Sequence, residues 1–397
     1  MIINFKGYRI KIIFLQEKIV DCKKIKPFTY RYPLMKPSKY ARVKFLNKDK
    51  SLFFSVLRDN VDSYFHENQI SKTGGRMILV KALALLTLYI GSYVLILSGQ
   101  FSQWQMLALT AVMGIGVAGV GMSVMHDAIH GSFSEHGWVN KLFGASLYLL
   151  GGNVYNWEIQ HNRLHHTYTN IHDVDEDITG KFLLRLSCGD KRKAYHRFQH
   201  IYAFFLYSLM TISFLWKDFK EISLYNQMSK TGLVKSFPRK EIIWLIVGKI
   251  GYILIAIVLP VYMLNLSFGQ WLIGFLTMHC VAGIILSTIF QLAHIVEGAC
   301  QPSPDEKGNI ENAWAIHQLH TTANFSSRNY ALSWYIGGLD YQIEHHLFPH
   351  ISHIHYRAIS SIVRNTAQEF NIPYNDKASF TRGLDSHIRM LKHLGTN

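Results

Sequence analysis

From Ala82 to Met125 the chain carries no Lys, Arg, Asp or Glu, and only Ser98, Gly99 and Gln100 break the run near its middle. A helix needs roughly 20 apolar residues to cross a bilayer, so this stretch predicts two spans joined by a tight turn. A second charge-free stretch runs from Ile250 to Val296, with a polar break over Asn265 to Gln270 and a kink expected at Pro260. The first of its two spans begins near Ile242 and carries Lys249. The pattern therefore predicts spans at about 78–98, 104–125, 242–264 and 270–293. The apolar stretch beginning at Ile201 is about 17 residues long, short for a crossing. A fifth crossing there would put its basic flanks on opposite sides of the membrane, so we read it as an in-plane or half-inserted helix.

Around this core, residues 1–77 read as an N-terminal cytosolic region, 78–365 as the membrane domain and 366–397 as a cytosolic tail. Residues 352–397 have the pattern of amphipathic helices. The N-terminus does not read as a signal peptide, because lysines and arginines interrupt every apolar core it could offer. Met35 would make an equally good start, so residues 1–34 read as an extension or a start artefact. The predicted fold class is an all-α integral membrane protein: four transmembrane helices, interfacial helices and a cytosolic helical cap.

Composition agrees. Of 397 residues only 17% are charged, where a soluble protein carries about a quarter. The net charge of +15 sits outside the spans, and both short turns lack Lys and Arg. By the positive-inside rule the large basic segments are cytoplasmic and meet membrane lipid, and nucleic acid is not the expected partner. Four cysteines without a CxxC pair exclude a disulfide framework and a thiolate zinc ribbon.

The 21 histidines are the anomaly. His126 and His130 lie in HDAIH at the exit of the second span, spaced i,i+4 so that both face one metal centre. His161, His165 and His166 lie in HNRLHH, the first two expected on one helix face and the third offset. QIEHH adds Gln342, His345 and His346, and His294 ends the fourth span. All fall on one predicted side of the membrane, and eight imidazoles exceed one coordination sphere, so two metals are required. Imidazole suits Fe, Zn, Cu or Ni, and residue chemistry alone does not choose. Asp127, Glu158, Asp175 and Asp177 are candidate outer acceptors for ligand N–H groups. His317 is a structural, substrate-lining or outer-sphere candidate, and His350, His353 and His355 extend the third box. A metal transporter would need ionisable ligands within its spans, which here are almost charge-free.

These three boxes closely resemble those of the membrane fatty acid desaturases, over roughly residues 40–365. The resemblance implies two Fe ions held by His126, His130, His161, His165, His166, His294, His345 and His346. Gln342 becomes either a weaker ligand or a hydrogen-bond partner of water at the site. It also implies O2-dependent insertion of a cis double bond into a fatty acyl chain carried as acyl-CoA or acyl-lipid. The glutamine that opens the third box is similar to the front-end desaturases, which act between an existing double bond and the carboxyl end. No HPGG haem motif occurs in the sequence, so an external electron donor is expected, either a ferredoxin or cytochrome b5 with its reductase. The same feature favours a bacterial inner membrane over the ER, with the active site on the cytoplasmic face. A di-iron fatty-acid or lipid hydroxylase is the alternative.

Overall fold

A computed structural model describes residues 2–5, 8–11 and 43–397. The first unit holds an antiparallel pair, Ile2–Phe5 with Tyr8–Lys11; the expectation for residues 1–34 otherwise lies outside the described residues. The second unit is helical apart from two short parallel pairings, Lys44–Phe45 with Asn309–Ile310 and Asn324–Phe325 with Asp376–Lys377.

Among the described residues four helices are long and apolar enough to cross a membrane: Gly75–Leu97, Gln103–Ile129, Arg239–Leu264 and Phe268–His294. They fall where the charge pattern predicts them, and the protein is an integral membrane protein. Each starts up to three residues early, and the second runs on to Ile129, so HDAIH belongs to the span's own last turn. Both interhelical turns are punctuated alike. Gly99 and Asn265 adopt left-handed conformations that end one helix. Then Ser102 with Gln105, and Ser267 with Gln270, close reciprocal capping boxes that start the next.

The second span is the central one, with 61% of its apolar window buried inside the protein against 17% for the third. Small residues let it sit there. A Cβ on Gly116 would lie 2.8 Å from the Tyr89 backbone of the first span, and one on Gly114 would lie 2.6 Å from the Met278 carbonyl of the fourth. Pro260 cannot donate to the Ala256 carbonyl, and the helix widens over Leu254–Val258 just before it. In lipid a freed carbonyl needs a partner. Ala256 receives the Trp271 indole N–H at 2.9 Å and Ile255 the Tyr93 hydroxyl at 2.5 Å.

The stretch expected as one in-plane helix is two, Gln199–Ser208 and Met210–Ser229, bent by 78° at Leu209. The bend rests on the fourth span. Gly283 leaves room for the Ser208 carbonyl, and the Ser287 hydroxyl donates to the Tyr207 carbonyl at 3.3 Å. Lys249 pins the second arm from the third span, ion-paired to Asp218 and donating to the Phe214 carbonyl at 2.6 Å, with both charged groups buried. Breaking such a pair strands a charge and costs about 3–5 kcal/mol. Lys249→Met should therefore lower the melting temperature in detergent markedly, and Lys249→Met combined with Asp218→Asn should recover most of the loss.

Candidate metal centre

The three boxes reach one place from three directions. HDAIH closes the second span. HNRLHH lies on a helix over residues 154–168 that begins at an Asn153 cap and widens to a π-helix over Glu158–His165. QIEHH is the short helix Gln342–Leu347, and His294 is the last residue of the fourth span. The π-turn changes how the second box presents its rings. His161 meets His166 with ring centroids 4.7 Å apart and Nε2 atoms at 3.2 Å. The rings of His161 and His165 stack 5.4 Å apart, as a shared face implies, and the wide turn also brings i and i+5 together, so that His166 meets His161 where α-helical spacing leaves it offset.

The histidines form two groups, and His165 is shared with a third cluster that it makes with Asp175 and Asp177. Ligand-capable atoms of His126, His130, His161 and His345 lie within 4.8 Å of one another, and so do those of His165, His294 and His346. Adjacent residues of the third box, His345 and His346, serve different groups. His166 lies between them, 4.5 Å from His345 and 4.4 Å from His346 by ring centroids.

Seven of these eight histidines keep a buried ring nitrogen with no hydrogen-bond partner: Nδ1 of His126 and His166, and Nε2 of His130, His165, His294, His345 and His346. Each such atom costs about 1–3 kcal/mol if left unmet. In four of the rings the other nitrogen is tied down. Nδ1 of His165 is 3.1 Å from Asp175 Oδ2, that of His294 is 3.4 Å from the Thr321 carbonyl, that of His345 is 3.2 Å from the Tyr356 hydroxyl, and that of His346 is 2.9 Å from Gln318 Oε1. Fixing Nδ1 aims a lone pair from Nε2 inward, the usual outer-sphere arrangement of a metal-bound imidazole. Burial, reinforced by the neighbouring imidazoles, pushes His130, His161, His166, His345 and His346 well below the usual histidine range, which keeps them neutral as ligands must be. For His165 burial also lowers the value, but Asp175 and Asp177 outweigh it and raise the net. The donor set fits metal ions.

The outer acceptors divide. Asp175 and Asp177 face His165, the second at 3.4 Å, and Asp175 is held by the backbone N–H groups of Asn170 and Asp177. Asp127 turns from His126, 3.6 Å away, to His353 Nδ1 at 2.8 Å; His353 Nε2 in turn meets Lys81 Nζ at 2.8 Å. Glu158 makes no hydrogen bond to a histidine ring among the described residues. His317 Nε2 meets the Thr169 carbonyl at 2.9 Å and stands outside both groups. His350 packs on Phe348, and His355 Nε2 is 3.4 Å from the Thr73 carbonyl, so the extended third box serves the scaffold. Gln342 is buried and lines a cavity of about 640 Å³ beside His126, His161 and His345. Sequence reading missed Gln318, Tyr356 and Asn170. The Asn170 amide donates to the carbonyls of His294, Cys300 and Thr321 and ties the second box to the fourth span. Asn170 closes HNRLHHTYTN, and Gln318 and Tyr356 stand next to or near singled-out histidines; only that proximity could have flagged them.

A helical membrane protein with a buried polyhistidine metal site and an apolar cavity against it is the class these features define. Residues 102–378 match the family described as Fatty acid desaturase. The chain is 32% identical over 345 residues, 87% of its length and 93% of the relative's, to the sn-1 linoleoyl-lipid 6-desaturase of Arthrospira platensis. It is 33% identical over 360 residues, 90% and 74% of the respective lengths, to the Acyl-lipid (8-3)-desaturase of Physcomitrium patens. Against the Delta(5) fatty acid desaturase A of Dictyostelium discoideum it is 30% identical over 374 residues, 91% and 78%. The chain belongs to the fatty acid desaturase family: it is an oxidoreductase, and its substrate is a fatty acyl chain.

Removing the acceptor that orients His346 should weaken the site while leaving every ring in place. Gln318→Leu should lose metal about 10–100-fold more readily than the wild type, measured as metal retained after graded dialysis against a chelator.

Proposed function

We propose that the protein is a front-end desaturase using two irons and O2, with His126, His130, His161 and His345 around one iron and His165, His294 and His346 around the other. His166, between the groups, completes the set. The observation that carries this reading is the pair of histidine groups, six of whose seven rings keep a buried nitrogen without a hydrogen-bond partner. When bound, the irons supply an oxidant from O2 that removes one hydrogen from each of two neighbouring methylenes, with two electrons from a donor protein and water as the other product.

The chain's own residues do the rest. The cavity passes the histidines between the second span, the bent helix pair and the fourth span, with apolar walls such as Leu150, Met210 and Leu286. An acyl chain threaded there lies against His126, His161 and His345, with the Trp157 ring stacked on His161 at 4.4 Å. These walls orient the chain and exclude water. The two histidine groups are complete without Gln342, which supports it as a hydrogen-bond partner for water in the cavity. Carriers named for the relatives favour acyl-lipid over acyl-CoA. Electrons come from a separate ferredoxin or cytochrome b5 with its reductase, and the basic segments support a cytoplasmic active site, in the bacterial inner membrane by the first reading.

Changing any of the eight histidines to Ala should lower turnover by a thousandfold or more without loss of membrane insertion, an order of magnitude of about 4 kcal/mol in the barrier. Fatty-acid profiling of cells expressing the wild type should find a new cis bond on the carboxyl side of an existing one; a methyl-side bond would refute the front-end assignment. The membrane orientation has its own check. Cys188 is exposed two residues beyond Leu186, which lines the cavity. In a variant keeping it as the single cysteine, a membrane-impermeant thiol reagent should label it only from the cytoplasmic side, whereas Cys placed at Gly99 should react from outside.

A further inference from the structure

The cavity is apolar along most of its length, yet two lysines, Lys181 and Lys217, line it together with Gln160 and Asp177. Each lysine is next in sequence to an aromatic side chain open to the surroundings: Phe182, 69% exposed, follows Lys181, and Trp216, 49% exposed, precedes Lys217. Exposed aromatic rings with lysines beside them are what a membrane–water interface selects. Lys217 is partly offset by Glu221 at 3.0 Å. Lys181, half-buried, makes no hydrogen bond or ion pair within contact distance among the described residues, although Asp177, Glu176 and Asp175 lie within its electrostatic reach, so its ammonium keeps its donors for something in the cavity.

This corner is bonded to the metal-binding histidines. Lys217 Nζ donates to Gln160 Oε1 at 2.5 Å, Gln160 Nε2 donates to Asp177 Oδ1 at 2.6 Å, and Asp177 Oδ2 is 3.4 Å from His165 Nδ1. Gln160 also adjoins His161 in sequence. The position of Lys217 relative to His165 is therefore fixed through side chains, and Lys181 lines the same corner of the cavity. An enzyme that counts from the methyl end needs a blind apolar stop. One that counts from the carboxyl end needs a polar anchor held close to the reacting position. The lysine corner has the second character.

We propose that Lys181, seconded by Lys217, holds the oxygen-rich carboxyl end of the acyl substrate, its carbonyl and headgroup phosphate, and so sets the position of the new double bond. The proposal rests on the front-end reading above. The test uses the full-length, metal-loaded protein with its donor system, phosphatidylglycerol vesicles carrying linoleoyl chains in one arm and linoleoyl-CoA in the other. Lys181→Met should keep the wild-type metal content but spread the product over neighbouring double-bond positions, or raise KM about tenfold or more, the size of a lost hydrogen bond to a charged group. Lys181→Arg should restore a single position. An effect in both arms assigns a group the two substrates share, the acyl carbonyl or a phosphate, and an effect confined to vesicles assigns the glycerolipid headgroup. A carboxyl-side product whose position and KM survive Lys181→Met overturns this proposal alone, as does a loss of turnover that Lys181→Arg does not restore. A wild-type product on the methyl side overturns the front-end reading and this proposal with it.

Discussion

Eight imidazoles packed together in the dark interior of a helical cap are not a stable arrangement by themselves. Their lone pairs face one another, burial denies them water, and protonation would only add like charges. Seven ring nitrogens left without a partner amount to a deficit that ordinary packing cannot hide. Cations relieve it, and most of the surrounding architecture is legible as the means of holding the rings ready for them.

That architecture works from the membrane outwards. The second span enters the centre of the bundle on small residues and delivers His126 and His130 at its own last turn, and the fourth delivers His294. Asn170 bonds the second box to the end of the fourth span. Asp127, through His353 and Lys81, bonds the end of the second span to the chain beyond the third box and to the first span. The bent helix pair, fastened by Lys249 and by Gly283, forms a wall of the apolar cavity beside the rings. Buried polar groups in a membrane protein are costly unless they serve something; these hold either the metal-binding groups or the wall of the cavity beside them.

Much of this was legible in the sequence because its signals are local. Charge-free runs of about 20 residues mark spans, polar breaks mark the turns between them, and clustered histidines mark the site. What escaped depends on three-dimensional pairing. The meeting of His161 with His166 needs a π-turn, which an i,i+4 count takes for an ordinary helix. The bend at Leu209 depends on Gly283 and Ser287, roughly eighty residues away. Gln318, Tyr356 and Asn170 are common residues whose value lies entirely in which nitrogen or carbonyl they face. Asp127 looked like the outer acceptor of its neighbour His126 and is committed to His353 instead, a contact across more than two hundred residues.

The most direct test of the account is the metal itself. Elemental analysis of the purified protein, with X-ray absorption at the metal edge, should find two irons per chain in shells dominated by imidazole nitrogen. A single metal per fully active chain, or a first shell rich in carboxylate oxygen or sulfur, would contradict it.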